Sequence, residues 1–132
     1  MSENHQPPPT ILIVEPDDQV RPALIYNLRK WGYCVIVALN EEDAIERVKN
    51  GSFQTDIILL NQMGQSIDQL VDIGRSIRKS AERSPEAPIV IMAEQYGVDL
   101  EGQDAQIGES EYVTYLEDGQ QLMNLLHNLC PV

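Results

Sequence analysis

Five short apolar runs recur along the chain between more polar stretches. Most of them show no alternation of apolar and polar residues, which is typical of strands that are buried on both faces of a parallel sheet. These predicted strands cover residues 11–14, 33–39, 56–60, 89–93 and 111–116. The pattern therefore predicts one sheet of five strands with both faces covered.

Between these runs, apolar residues recur with the three- and four-residue spacing of a helix. Residues 18–31 carry such a stripe, and Gly32 follows it in a position that favours glycine. Asn40 is a suitable N-cap for a second helix, because its side chain can accept a hydrogen bond from an early backbone N–H. A third helix is predicted over residues 70–81, and a last one begins near Asp118.

Two parts of the chain lack a regular pattern. Residues 94–110 contain three glycines and many acids and amides, so we expect a short helix or a mobile loop there. Residues 1–10 include three consecutive prolines and are predicted to form a flexible leader. Residues 11–130 then make up a single domain.

The alternation of strands and helices predicts an α/β fold. Right-handed crossovers favour a doubly wound, flavodoxin-like parallel sheet in the order 2-1-3-4-5, with helices on both faces. In such a sheet the functional crevice lies at the carboxyl ends of the strands. The segments expected there are residues 15–18, 61–64, 93–95 and 115–118.

The charge of the chain excludes some functions. It has 132 residues with 21 acidic and nine basic side chains, a formal net charge of −12, which argues against a broad nucleic-acid-binding surface.

No apolar run could span a membrane, and the N-terminus has no signal-peptide pattern, so we expect a cytoplasmic protein. Cys34 and Cys130 are expected to be free thiols, and no histidine–cysteine cluster suggests a metal.

An acidic segment follows the first predicted strand: Glu15, Pro16, Asp17 and Asp18. Its carboxylates could bind a hard cation such as Mg²⁺. Alternatively, Asp17 and Asp18 cap the helix that follows and complement its dipole. The segment has neither the glycine-rich turn of a dinucleotide fold nor a P-loop, so nucleotide binding is not expected.

Several stretches occur in the order and near the spacing of a known family. They are the acid-terminated run 11–15, the helix residues Arg21, Leu24 and Leu28 with Gly32 and Tyr33, the segment 40–44, the runs 56–60 and 88–92, and Tyr112. Together they resemble the receiver domain of response regulators in bacterial two-component signalling. The resemblance covers residues 10–129 and implies the receiver fold.

The resemblance also implies where a phosphoryl group would be accepted, and the chain departs from the family there. Asn61 stands at the position of the phosphoacceptor aspartate, and an amide is a very poor nucleophile. Pro16 replaces one of the family's metal-binding acids, which leaves Glu15, Asp17 and Asp18 as a residual acidic pocket. At three other positions the chain also differs from the family. Ala93 stands where the family has a hydroxyl residue, Tyr115 where it has a lysine, and Gly64-Gln65 where it has a Met-Pro turn. Met63, beside this turn, is a further pocket position.

This pattern predicts a pseudo-receiver, a non-enzymatic signalling module that binds a protein partner without being phosphorylated. The partner is expected to be a histidine kinase or a downstream signalling protein, with no nucleic acid, no membrane and no cofactor beyond weak Mg²⁺ binding. The last helix and its neighbours are the expected interaction surface, to which Tyr112 contributes an aromatic ring unless it is an ordinary strand residue. The identity of the partner and the oligomeric state stay open.

Two alternatives remain. A conventional receiver would use another aspartate, either Asp56 at the start of the third strand or Asp68, which more simply caps the third helix. A small enzyme on a flavodoxin-like sheet would need a nucleophile with a base, and the sequence offers no such pair.

Overall fold

The computed structural model describes residues 7–82 and 85–132. The elements follow in the order β1 (Thr10–Val14), α1 (Arg21–Lys30), β2 (Cys34–Ala38), α2 (Glu41–Asn50), β3 (Ile57–Asn61), α3 (Ile67–Ser80), β4 (Ile89–Met92), β5 (Asp104–Gln106), β6 (Glu111–Thr114) and α4 (Gly119–Leu129). Residues 1–6 of the predicted leader lie outside the described residues.

The strands form a single sheet in the order β2-β1-β3-β4-β6-β5. All neighbouring strands are parallel except β5 and β6, which are antiparallel. The predicted α/β, flavodoxin-like sheet is therefore confirmed, with the predicted fifth strand observed as β6. The predicted five-stranded order 2-1-3-4-5 is wrong, because a sixth strand lies outside β6 at the edge of the sheet.

The additional strand lies within residues 94–110, for which a short helix or a mobile loop was expected. Its three residues contain only one apolar side chain, Ala105, so the sequence carries no strand signal there. Its backbone nevertheless pairs with β6 from Asp104 opposite Thr114 to Gln106 opposite Tyr112. Across the described residues between β4 and β6, turns and β5 occupy the place of the crossover helix.

Alternate strand residues point to opposite faces and form two apolar layers. Ile11 and Ile13 of β1 contribute to the layer that α1 and α4 cover, together with Leu28 and Leu126. Leu12 and Val14 contribute to the layer under α2 and α3, together with Leu60, Ile77 and Ile91. Both faces of the sheet are therefore buried, as the apolar runs predicted.

The helix α3 lies close against β4. A Cβ atom at Gly74 would stand 2.8 Å from the Cγ2 atom of Ile89, which is too close for any real side chain. Gly74 therefore permits this close approach of helix and strand.

One end of each of three helices is as the sequence predicted. The Asn40 side chain accepts a hydrogen bond of 2.8 Å from the N–H of Asp43 and caps α2 as predicted. Asp118 caps α4 by accepting from the N–H of Gln121 at 3.0 Å. Gly32, with φ of 106°, follows α1 in the left-handed conformation that glycine favours.

The start of α1 and the cap of α3 differ from the sequence interpretation. The helix α1 begins at Arg21, and its N-cap residue Val20 makes no side-chain cap, so neither Asp17 nor Asp18 caps it. Ser66, and not Asp68, caps α3, in a reciprocal capping box with Gln69. Asp68 instead lies in the first turn, where a negative charge complements the helix dipole.

A buried glutamate forms ion pairs with two arginines of α3 and so joins this helix to the amino end of β6. Glu111 accepts hydrogen bonds from Arg78 at 2.8 Å and from Arg75 at 3.1 Å. Burial raises the pKa of Glu111, but the hydrogen bonds and charges of Arg78 and Arg75 outweigh it and hold the pKa below the ordinary value. This pair lies at the edge of the sheet opposite to the strand ends described next.

Candidate functional site

Two polar side chains meet at the carboxyl ends of the central strands. Glu15 directly follows β1, and Asn61 is the last residue of the adjacent strand β3. The side-chain amide of Asn61 donates to both carboxylate oxygens of Glu15, at 2.8 Å to Oε1 and 3.0 Å to Oε2. Glu15 is 0% exposed, so this amide is a direct partner of a fully buried carboxylate.

The loop after β1 supplies further contacts to Glu15. The backbone N–H of Asp17 donates to Oε2 at 3.2 Å, and the N–H of Glu15 itself donates to the carbonyl of Ala38 at 3.1 Å. Arg21, from the first turn of α1, donates to the carbonyl of Glu15 at 3.1 Å. Both carboxylate oxygens of Glu15 therefore accept N–H donors from the protein.

The other acids predicted for the pocket have different roles. The carboxylate of Asp17 accepts from the N–H of Gln19 at 2.8 Å, which stabilises the turn before α1. Asp18 is exposed and forms an ion pair with Arg21. The structure thus brings Glu15 and Asn61 into contact, while Asp17 approaches them through its backbone and Asp18 points to solvent.

A cleft of about 270 Å³ opens beside Asn61. Its polar and apolar lining residues include Pro16, Leu39, Asn61, Met63, Gln65 and Ile73. The predicted pocket positions Pro16 and Met63 therefore lie next to Asn61. Leu39 and Met63 are among the large apolar side chains that remain exposed.

Glu94, which the sequence interpretation did not single out, forms hydrogen bonds that connect the loop after β4 to the loop after β3. The carboxylate of Glu94, after β4, accepts from the N–H of Gly64 at 2.7 Å. The N–H of Glu94 donates to the side chain of Gln62 at 3.0 Å, and Gln62 in turn donates to the carbonyl of Gln65 at 2.8 Å. The sequence signal was limited to the position of Glu94 at a strand end, because a polar loop residue follows no periodicity.

Aromatic rings lie at the end of β6. Tyr115 packs edge-on against Tyr96, with ring centroids 5.5 Å apart and an interplanar angle of 74°. Tyr96, also not singled out from the sequence, donates its hydroxyl to the carbonyl of Leu116. The backbone N–H of Ala93 donates to the carbonyl of Thr114 at 3.0 Å, so Ala93 continues the sheet while its methyl group offers no hydrogen bond.

The remaining predicted positions lie away from the Asn61–Glu15 pair. Tyr112 is half-buried and packs against the apolar layer under α1 and α4. Asp56 accepts from the N–H of Thr10 at 2.8 Å, at the amino ends of β1 and β3. Asp68 is exposed on α3. Among residues 7–82 and 85–132, no three acidic, histidine or cysteine side chains are arranged to hold a metal ion.

The helices give no sign of a membrane segment. In the two described stretches of chain, none is both long and apolar enough to cross a bilayer.

The curated proteins that match the sequence include a transcriptional regulator. The chain is 29% identical over 84 residues to the transcriptional regulatory protein AfsQ1 of Streptomyces coelicolor. The match covers 64% of this chain and 34% of that protein, so the chain spans about a third of the length of the relative it matches. No family model matches the sequence.

Comparison of the structure gives receiver domains. The chemotaxis protein CheY4 of Vibrio cholerae superposes with a TM-score of 0.66 at 13% identity, over 92% of this chain and 98% of that one. The receiver domain of a sensor histidine kinase from Pseudomonas aeruginosa, solved with a magnesium ion in its active site cleft, gives 0.63 at 18% identity, over 92% and 97%. A chain from the complex of histidine kinase ThkA with response regulator TrrA gives 0.66 at 19% identity, over 92% and 98%. At these identities the comparisons establish the fold, which is that of response-regulator receiver domains.

Proposed function

We propose that this chain is a receiver-type signalling module that binds protein partners without being phosphorylated. The observation that carries the proposal is the pair of hydrogen bonds from Asn61 to Glu15. In a phosphorylatable site, a free carboxylate oxygen must be available as the nucleophile. Here an amide occupies the position, and its nitrogen is engaged with the neighbouring carboxylate.

The donor set fits a magnesium ion poorly. Mg²⁺ requires near-octahedral oxygen ligands and is held largely by carboxylates. Both oxygens of Glu15 already accept N–H donors, Pro16 has no side-chain oxygen, and Asp17 is engaged by Gln19. We therefore propose that Mg²⁺ binds weakly or not at all, and that the protein's own N–H groups satisfy the charge of Glu15.

The groups that would stabilise a transferring phosphoryl are also missing from the two neighbouring strand ends. Phosphoryl transfer requires positively charged or hydrogen-bonding groups around the charge that develops on the oxygens. Ala93 offers only a methyl group, and Tyr115 is a neutral phenol whose ring packs on Tyr96. The two neighbouring strand ends therefore offer a phosphoryl group neither a hydrogen bond from Ala93 nor a positive charge from Tyr115.

The conventional alternative, phosphorylation of another aspartate, has less support from the geometry. Asp56 lies at the amino edge of the sheet and is hydrogen-bonded to Thr10, whereas Asn61 lies at the carboxyl edge. Asp68 is exposed in the first turn of α3, with no buried acid or cation described beside it. Neither residue is placed with Glu15.

The proposal is tested by intact mass spectrometry after incubation with acetyl phosphate and Mg²⁺. We expect neither the wild-type chain nor Asn61→Asp to gain the roughly 80 Da of a phosphoryl group. A receiver domain that retains its acceptor aspartate serves as the positive control for the reagent.

A gain of mass by the wild-type chain would refute the proposal. The variants Asp56→Asn and Asp68→Asn would then show which aspartate is modified. A gain by Asn61→Asp alone would show that the surrounding groups remain competent and that the identity of residue 61 is the only barrier.

A further inference from the structure

We infer that the open edge of β2 is a pairing surface for a second copy of this chain, with the two β2 strands antiparallel in one continuous sheet. Such self-pairing goes beyond the proposed function, because it involves neither a phosphoryl group nor another protein. It follows from the position and composition of the strand, from the backbone groups that face outward, and from the charges on the neighbouring helix α2.

The strand β2 lies at one end of the sheet. In the described parts of the chain it has β1 on one side and no strand on the other. Edge strands are commonly kept from pairing by a charged side chain, a proline or a bulge. The five residues Cys34–Ala38 include no charge and no proline, three of them are β-branched, and their register with β1 runs without a bulge. The composition of β2 is therefore that of a strand paired on both sides.

The backbone groups of β2 alternate between β1 and the open edge. The N–H of Cys34 and the carbonyl of Ala38 both form hydrogen bonds on the β1 side, of 2.9 and 3.1 Å. Because alternate residues of a strand direct their backbone groups to the same side, Val35 and Val37 direct their N–H and C=O groups outward. Among the described residues these outward groups have no backbone partner.

The outward groups are self-complementary about Ile36. When two β2 strands pair antiparallel with Ile36 opposite Ile36, Val35 of each copy lies opposite Val37 of the other. Each of these two pairs exchanges both of its N–H···O bonds, so every outward group of Val35 and Val37 is satisfied in both copies. The contact has two-fold symmetry and closes on itself as a dimer.

The same symmetry brings opposite charges together on α2. A groove of about 380 Å³ between α2 and β2 is lined by Ile36 and by Asp43, Glu46 and Arg47, so these charged side chains lie on the β2 side of the helix. Glu46 is exposed and forms no ion pair within the two described stretches, and Arg47 contacts Asp43 of its own chain at 3.5 Å. In the antiparallel pair, Glu46 of each copy faces Arg47 of the other.

This complementarity bears on the choice of a second copy as the occupant. A chain of net charge −12 repels its own copies, so self-association requires local attraction at the contact. The antiparallel arrangement supplies it, because the acid-rich first half of one α2 lies beside the half of the other that contains Arg47 and Lys49.

The first experiment measures association of the full chain by sedimentation equilibrium. We expect a reversible monomer–dimer equilibrium for the wild type. Val35→Pro removes one outward N–H from each copy while the hydrogen bonds to β1 remain, since proline is tolerated where an edge N–H faces solvent. Its dissociation constant should be higher by about tenfold or more. Val35→Thr keeps the N–H and a similar shape, and should dimerise as the wild type does.

Oxidative cross-linking tests the register. With Cys34 and Cys130 both replaced by serine, Ile36→Cys should form a disulfide-linked dimer, because side chains of a non-hydrogen-bonded antiparallel pair lie within disulfide reach. The matched control is Cys130→Ser, which retains the exposed thiol of Cys34. In the inferred register Cys34 lies opposite Ala38 of the second copy, so this variant should not cross-link.

Charge reversal separates the contact between helices from the overall charge. Glu46→Arg makes the chain less negative, so a general repulsion would predict tighter association. We expect weaker association instead, because two arginines then face each other across the contact. Arg47→Glu should also weaken it, and the double variant Glu46→Arg/Arg47→Glu should recover the wild-type dissociation constant. Far-ultraviolet circular dichroism checks that each variant is folded.

The self-pairing is refuted if the wild type stays monomeric at the highest soluble concentration, if Val35→Pro dimerises as tightly as the wild type, or if Ile36→Cys cross-links no better than Cys34. Tighter association of Glu46→Arg would refute the contact between the helices. A monomeric wild type that binds an extended valine–threonine peptide, with Val35→Pro abolishing this binding, would assign the edge to a strand of another protein. None of these measurements uses a phosphodonor, so the self-pairing and the proposed function can fail separately.

Discussion

The side-chain nitrogen of Asn61 lies within 3.0 Å of both carboxylate oxygens of Glu15, and so connects the ends of β1 and β3. A buried carboxylate is costly unless a cation or hydrogen-bond donors compensate its charge. Here the compensation comes from an amide on the adjacent strand and from the N–H of Asp17. The geometry explains why a neutral residue at position 61 suits a chain whose neighbouring acid is inaccessible to solvent.

We expect Asn61→Asp to destabilise the protein in a pH-dependent way. The new carboxylate would face the buried Glu15, and like charge together with burial raises the pKa of such a group. When the pKa of a carboxyl group is higher in the folded state than in the unfolded state, the folded protein loses stability as the pH rises through the folded-state pKa. The free energy of unfolding, measured by urea denaturation, should fall below that of the wild type by about 3 kcal/mol at neutral pH and by much less near pH 4.

Asn61→Ala is the matched control for that variant. It removes the same two hydrogen bonds without adding a second carboxylate, so its loss of stability at neutral pH should be smaller than that of Asn61→Asp. If Asn61→Asp were as stable as the wild type at neutral pH, the contact between residues 15 and 61 would have to rearrange.

The ion pair at the opposite edge of the sheet predicts a different pH dependence. Because the pKa of Glu111 is lower in the folded state, its contribution to stability is present above the ordinary glutamate pKa of about 4.3 and is lost as the pH falls through the folded-state value. Glu111→Gln should therefore cost about 3 kcal/mol at pH 7, and the difference should shrink below about pH 4. Glu109→Gln, at an exposed position two residues earlier, should change the free energy of unfolding by less than about 0.5 kcal/mol.

The additional strand β5 should depend on one glutamine. The side chain of Gln121 donates to Asp104 at 2.9 Å and accepts from the N–H of Glu117 at 2.8 Å, so it joins β5 to the start of α4. In Gln121→Ala, hydrogen exchange should accelerate by about fivefold or more at the N–H groups of Gly102 and Ile107, which donate to the carbonyls of Tyr115 and Glu111.

Two comparisons make that measurement specific. Exchange at the N–H of Ala93, which bonds to Thr114 between β4 and β6, should be unchanged. Gln120→Ala, whose side chain donates to Asn124 on the exposed side of α4, should leave β5 as it is in the wild type. Equal acceleration in both variants would show that β5 is not held by Gln121.

The parts of the fold with a strong apolar pattern could be predicted from the sequence. Runs such as residues 11–14 and 89–92 are buried on both faces, and Asn40 caps α2, because each of these features is decided by local residues. The strand β5 could not be predicted, because Asp104 and Gln106 have no strand pattern and are held by β6 and α4. Tertiary contacts decide the conformation of such a segment.

Only part of the candidate site could be predicted from the sequence. Glu15 and Asn61 follow predicted strands, so the topology alone brings them to one edge of the sheet. The roles of Glu94 and Tyr96 depend on how a polar loop returns over that edge, which no periodicity records. Asp17 and Asp18 have different contacts because both lie in the turn before α1. The helix α1 begins three residues later than the pattern suggested.

The position of β5 has a consequence for solubility. A sheet edge presents unpaired backbone groups that can template pairing with another molecule, and long, apolar edge strands promote aggregation. Without β5, the edge would be β6, whose Val113 and Thr114 are fully enclosed when the sheet is complete. With β5, the edge is three residues long and carries the polar side chains of Asp104 and Gln106. Detachment of this short strand would expose the unpaired backbone groups of β6, so β5 shields that edge of the sheet from pairing with another molecule.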